Sequence, residues 1–430
     1  MQAGHHLLSA FDMVSLLLLI AVLISVLNEH WLKLPRPVAL LLGALGVSGI
    51  TIAAAALSGH TEVREHLRTR ILGSEWPQIL LDGMLALLLF AGSLHVNLGD
   101  LRQRARTVLA LATAGVILAT GIFGAGIWLL LAAVGIPVPL GWCLVIGAIL
   151  APTDAVAVEG LLAKVNLPPL LRAVISGESL FNDGAAVVLF STTLALTSGR
   201  TDMVGHGHLA KAILIEGSGG IALGAAAGYL TCRLVRLTAE HTLALMISLA
   251  LVLCTYRAAV ALEVSGPIAV VTAGIVFTTM LGATPGVARL RDSLSTMWTL
   301  VDDLLNTMLY MLIGFVAIAI DMSWKAMLAT LLAVPLALLT RFVSVAIPRL
   351  ILDLRVPNLG RSLFVLTWAG LRGGVSIALA LVLPPSPYRD LLLAICFGVV
   401  IFTVVVQGLS LPRIVAAFYG KAPAEAGPHS

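Results

Sequence analysis

Three side chains that carry a carboxylate or an amide stand inside an apolar stretch, "GESLFNDGAAVVLF" (177–190): Glu178, Asn182 and Asp183. The segment 170–196 around them otherwise reads as a membrane-spanning helix. An ionised carboxylate near a bilayer centre costs at least ~2.5 kcal/mol, so acidic residues there mark pairing or function. On a helix Ser179 and Asp183 share a face, as do Glu178 and Asn182. Asp183 with Ser179 then offers hard oxygen ligands, which suit a cation such as Na+ better than sulfur or imidazole would. Low dielectric disfavours the ionised form of any carboxyl group. A single carboxylate there can hold a proton or a metal cation, but not both, and that competition is the simplest chemical basis of exchange.

A second polar group lies in "AILAPTDAVAVEG" (148–160). Pro152 donates no backbone hydrogen bond and its ring clashes with the preceding turn, so the helix must kink or unwind there. The carbonyls so freed need partners, and a bare cation can be one. Asp154 follows the break and Thr153 adds a hydroxyl; Asp154 can cap the second half-helix, bind an ion, or do both. In "TWAGLRGGVSIALAL" (367–381), Arg372 sits mid-span and needs a counter-charge, while Gly373 and Gly374 permit close backbone approach or a break. Glu178 is the expected partner of Arg372, leaving Asp183 and Asp154 to handle ions. Arg341 and Arg257 are weaker candidates, the latter snorkelling near a helix end. Asp302 and Asp303 read as a helix-start or dimer-face pair rather than an ion route. His206 and His208 read as a solvated loop, and the mixed-charge stretch 62–70 as a polar outer connection.

The elements that must hold these groups follow from composition. The chain has 430 residues, 59% hydrophobic and 11% charged, against roughly 25% charged in a soluble domain. Its mean hydropathy is +1.03. This excludes a water-soluble globule and indicates an all-α polytopic membrane protein. The formal charge of +4 comes from cations scattered singly between apolar runs, with no basic tract, so no nucleic-acid partner is expected. Cys143, Cys232, Cys254 and Cys396 are widely spaced and read as buried free thiols. The first apolar run lacks a basic leader and a cleavage site and reads as a retained helix.

Apolar runs of about 20 residues place thirteen spans: 11–27, 37–57, 79–95, 107–134, 140–160, 170–196, 209–233, 243–262, 265–282, 296–320, 326–350, 361–383 and 389–415. With the N-terminus outside and the C-terminus cytoplasmic, sixteen Lys and Arg fall on the inner side and seven on the outer, as the positive-inside rule asks. Spans four to six and eleven to thirteen form two candidate inverted repeats, the middle helix of each broken, as secondary transporters often are.

"APTDAVAV", "SGESLFNDGAAVVLF" and "WAGLRGGVSIALAL", with "LLLFAGSLHVNLGDL" and "LVDDLLNTMLYMLIG", resemble the monovalent cation:proton antiporters, specifically the NhaP-like Na+/H+ exchangers. The resemblance runs from the first span to the last. It implies the NhaA-like antiporter fold in one transmembrane domain, 1–420, with a short tail, 421–430. Core transport helices would be 107–196 and 326–415, dimerisation helices 11–95 and 243–320, and a linker helix 209–233. It also implies a homodimer in the cell membrane with an elevator-like core, and no cofactor beyond transported Na+ (or Li+ or K+) and H+. It carries ion binding to Asp183, Ser179, Asp154 and Thr153, gives Asn182 a structural role, and pairs Glu178 with Arg372. The Asn182–Asp183 pair is similar to that of the electroneutral branch, one cation for one proton. Many relatives carry an acidic residue where this chain has Ala91, which leaves a ligand from that helix in doubt. The rival readings are an intramembrane aspartyl protease using Asp154 and Asp183, and a cation channel.

Overall fold

The computed structural model describes residues 10–58, 83–94, 106–162, 165–199, 208–238, 240–282, 288–320, 323–351 and 359–420. The 62–70 stretch, His206 and the 421–430 tail lie outside the described residues. Every regular element among those described is helical. Eight helices are long and apolar enough to cross a membrane, and Leu85–Leu94, Leu140–Ile149 and Gly266–Gly282 are shorter apolar helices. Outward leucines such as Leu19 and Leu23 are more than half exposed, which in a chain of this composition is a surface for lipid.

Contacts divide the chain into two compact units, 1–74 with 303–320, and 75–302 with 321–430. In the first, the helices Ala10–Leu27 and Arg36–Ser58 are joined by a short π-helical turn. Both amide ends of Asn28 bond the Leu34 backbone, at 2.9 Å each, and fix this connection. Ser48 donates to the Gly314 carbonyl at 2.8 Å. Asp303 is an exposed partner of Arg36 at 3.7 Å. The acidic pair does not start a helix, because Ala288–Val316 begins well before it. The polar first turns "ARLRDS" lowered the hydropathy that set the expected boundary.

The second unit holds two triplets of the same order. In the first, Arg106–Ala133 is followed by the half-helices Leu140–Ile149 and Ala155–Leu162, then by Pro169–Thr197. In the second, Trp324–Ile351 is followed by Leu359–Trp368 and Gly374–Leu381, then by a helix from Arg389 to Tyr419 with a π-helical segment, Thr403–Gln407. Half-helices of eight to ten residues rise only about 12–15 Å. Each therefore ends inside the layer that the unbroken helices cross.

The remaining helices of this unit pack through small residues. Gly224 and Gly228 on His208–Val235 let that helix lie against the backbone of Gly266–Gly282, where a Cβ would overlap the Ala269 and Ala273 carbonyls. This is the small-residue packing that replaces hydrophobic drive between membrane helices. The tight connection 262–265 is made by Glu263 in the left-handed region, φ 54°. Ser265 follows, and its Oγ accepts from the Ile268 N–H at 3.4 Å. Fully buried Trp298 donates to Ser248 at 3.1 Å and packs on Phe90 at 4.7 Å. All four cysteines are free, but Cys254 is exposed on its helix, against the expectation that all are buried.

Gly224→Leu should lower the melting temperature of the purified protein, since overpacking costs roughly 1–3 kcal/mol. Gly121→Ala, where a Cβ meets nothing, should not. Equal melting of both variants would show that the two helices do not meet at this stripe.

Candidate functional site

Pro152 ends the helical run and residues 151–154 are not helical. Of the carbonyls released, those of Ala151 and Pro152 both accept from the Arg372 guanidinium, the latter at 2.9 Å. The Thr153 carbonyl accepts from the Ser179 hydroxyl. The break therefore meets side-chain donors at three consecutive carbonyls, and Arg372 fills the place foreseen for a cation at the first two. Each carbonyl has two lone pairs, so Thr153 keeps acceptor capacity.

The second break answers the first. The Asp154 N–H donates to the Leu371 carbonyl at 2.8 Å, and the Arg372 N–H donates to Thr403 Oγ1 at 3.1 Å. Asp154 Oδ1 accepts from the Ala157 N–H at 3.0 Å and so caps the half-helix Ala155–Leu162. An acid stands at a positive helix end and Arg372 reaches carbonyls beyond a negative one, both favourable for the helix dipoles. The glycines of "GLRGG" make room for these charges. A Cβ on Gly373 would overlap the Asp154 carboxylate, and one on Gly370 would press on the Arg341 side chain.

Pro169–Thr197 supplies the rest. Asn182 donates to the Thr153 hydroxyl at 2.8 Å, while Ser179 and Asn182 are buried and Asp183 is half-buried. Asp183 lies within electrostatic range of Asp154. The structure thus brings Asp154, Thr153, Ser179, Asn182 and Asp183 together. Ala91 is fully buried in an apolar cluster with Phe90, Phe277 and Trp298 and supplies no ligand.

One expected pairing is corrected. Glu178 is held by Arg341 and not by Arg372: both terminal guanidinium nitrogens of Arg341 meet the carboxylate, Nη2 to Oε2 at 2.9 Å. Arg372 is directed by the carbonyls of the first break instead. The sequence offered three in-span arginines, Arg257, Arg341 and Arg372, and the one that reaches Glu178 is Arg341, whose side chain passes where a Cβ on Gly370 would stand. Sequence reasoning also passed over Thr403, Gln407 and Ser410, a polar stripe at i, i+4 and i+7 in an apolar helix. Thr403 meets the Arg372 backbone, and Ser410 accepts from the Trp368 indole at 2.8 Å. That spacing was the available signal.

Glu178 is 2% and Arg341 8% exposed, and removing one partner of a buried pair costs about 3–5 kcal/mol. Glu178→Ala and Arg341→Ala should each lower thermal stability strongly, and Glu178→Leu with Arg341→Met should recover much of the loss. A double variant as unstable as the sum of the singles would deny the pairing.

The sequence pattern of the family described as "Sodium/hydrogen exchanger, transmembrane" matches residues 16–417. The Na+/H+ antiporter NhaP of Pseudomonas aeruginosa is 34% identical over 422 residues, 96% of this chain and 98% of that protein. The Na+/H+ antiporter NhaH of Halobacillus dabanensis is 29% identical over 411 residues, 94% and 96% of the two chains. The sodium proton antiporter MjNhaP1 of Methanocaldococcus jannaschii, solved at pH 8, superposes with a TM-score of 0.73 at 17% identity, covering 96% of this chain and 99% of its own. It shares this fold of broken and unbroken helices. Matched along nearly its whole length, the chain belongs to the sodium/hydrogen exchanger family.

Proposed function

We propose that the protein is a secondary transporter that exchanges a monovalent cation, Na+ foremost with Li+ or K+ as alternatives, for H+. Asp183 binds either cargo, Ser179, Asp154 and Thr153 complete the oxygen set for the cation, and Asn182 positions Thr153. No cofactor takes part, since the cation is cargo. The observation that carries this reading is the division of charge at the crossing. Glu178 is committed to Arg341 and Arg372 to two carbonyls, and Asp183 forms no ion pair among the described residues.

The tally of charge supports one-for-one exchange. Two arginines, Arg341 and Arg372, face three carboxylates, Glu178, Asp154 and Asp183. One proton or one monovalent cation on Asp183 brings the sum to zero, and an empty site leaves it negative. A neutral group moves through low dielectric at far lower cost than a charged one, so either loaded form is favoured to move over the empty one. The movement itself is read as an elevator of core helices 107–196 and 326–415 against dimerisation helices 11–95 and 243–320, in a homodimer of the cell membrane. The N-terminus lies outside and the C-terminus in the cytoplasm, as the distribution of Lys and Arg asks. The protease reading is disfavoured because Asp154 is engaged as a helix cap.

In liposomes, an imposed Na+ gradient should drive H+ the opposite way, and Asp183→Asn should abolish the exchange. Exchange persisting in that variant would remove the single-carboxylate mechanism. Because proton and cation compete, acidification should raise the apparent KM for Na+ and leave the maximal rate at saturating Na+ little changed; a constant KM would mean separate sites. A clamped membrane potential should neither drive nor slow exchange, and a voltage-dependent rate would refute one-for-one stoichiometry.

A further inference from the structure

Beside the crossing lies a small cavity lined by Arg341, Thr367, Gly370, Arg372, Thr403 and Gln407, among others. Gln407 ends the π-helical segment Thr403–Gln407 and is 1% exposed. Among the described residues neither its amide nitrogen nor its amide oxygen has a hydrogen-bond partner, and neither does Nε of Arg341. A buried amide left without partners is costly, and π-helical insertions gather at functional sites. Of the other polar residues of this stripe, Thr403 is bonded to the second break and Ser410 to Trp368, the last residue of the half-helix before it. Gln407 stands between them and lines the cavity together with Arg341 and Arg372.

We propose that Gln407 is a positioning residue for the exchange site, acting on Arg341 and Arg372 through buried water held in this cavity. The chemistry of the lining chooses water over a small anion. Gln407 presents an acceptor as well as a donor, and Arg341 Nε is a donor; water can serve all three, whereas an anion leaves the amide oxygen unmet. The charge at the crossing is already balanced when Asp183 is loaded, so an added anion would restore the imbalance that loading removes. Water bridged to Gln407 fixes the two guanidinium forks. Arg372 then holds the Ala151 and Pro152 carbonyls, and with them Thr153 and Asp154, in the register that the cation meets.

The inference rests on the antiport reading, and two measurements keep the two separable. In liposomes, Gln407→Met, which keeps the shape but removes both polar atoms, should raise the apparent KM for Na+ about tenfold, the effect of one hydrogen bond to a charged group. Its maximal rate and melting temperature should stay near wild type. Gln407→Asn, which keeps an uncharged amide donor and acceptor on a shorter stem, should recover much of the affinity. Loss of rate and stability together with unchanged KM in Gln407→Met, or no recovery in Gln407→Asn, would reduce Gln407 to a packing residue. Separately, a high-resolution map of the full-length protein should show ordered density in the cavity that disappears in Gln407→Met, whatever the transport assay gives. A bromide peak there after exchange of chloride for bromide, or an empty cavity, would overturn the assignment to water.

Discussion

The structure turns on a reciprocal exchange between two helix breaks. The guanidinium of Arg372, from the second break, meets the Ala151 and Pro152 carbonyls of the first, and the Asp154 N–H, from the first, meets the Leu371 carbonyl of the second. Irregular backbone at membrane depth persists only where its polar groups are met by protein or by a water-filled cavity. Here each break supplies what the other lacks. The glycines beside Arg372, the cap formed by Asp154 and the serine reaching Thr153 are all consequences of bringing two such breaks into contact.

Because Arg372 is spent on backbone, the Glu178–Arg341 pair is a separate device. A buried pair is weak evidence for stability, since apolar replacements of the same shape often do as well. Its value here is geometric. It ties Pro169–Thr197, which carries Asp183, to Trp324–Ile351 of the other triplet, so the helix bearing the exchangeable charge is registered against the part of the chain that carries the second break. Asn182 adds a finer constraint by donating to the Thr153 hydroxyl, which leaves the orientation of that hydroxyl set by an amide and not by a second titrating acid.

How much of this was legible depended on how local the cause was. Pro152, Thr153 and Asp154 announce a break and its cap within a few residues, and the helices fall close to the expected apolar runs. The identity of the partner of Glu178 was not local: three in-span arginines were available, and which of them approaches is visible only in three dimensions, where Gly370 leaves room for Arg341. The helix-start reading of Asp302 and Asp303 failed because a helix that starts in polar turns has no hydropathic edge. Gln407 was overlooked for the opposite reason: its spacing with Thr403 and Ser410 could be read, but what that stripe meets appears only in three dimensions.

The contacts that complete the crossing also join distant parts of the chain: Glu178 and Arg341 are 163 residues apart, and Ala151 and Arg372 are 221 apart. Chains emerge from the ribosome N-terminal half first, at roughly 5–20 residues per second. The first triplet must therefore wait, on the order of ten seconds or more at that pace, with two carbonyls and a carboxylate lacking their final partners. During that interval it needs water or the insertion machinery at its side. A nascent intermediate of this kind is most exposed to misfolding and disposal, so slowing synthesis between the two triplets would threaten the yield of the protein long before it touched the finished fold.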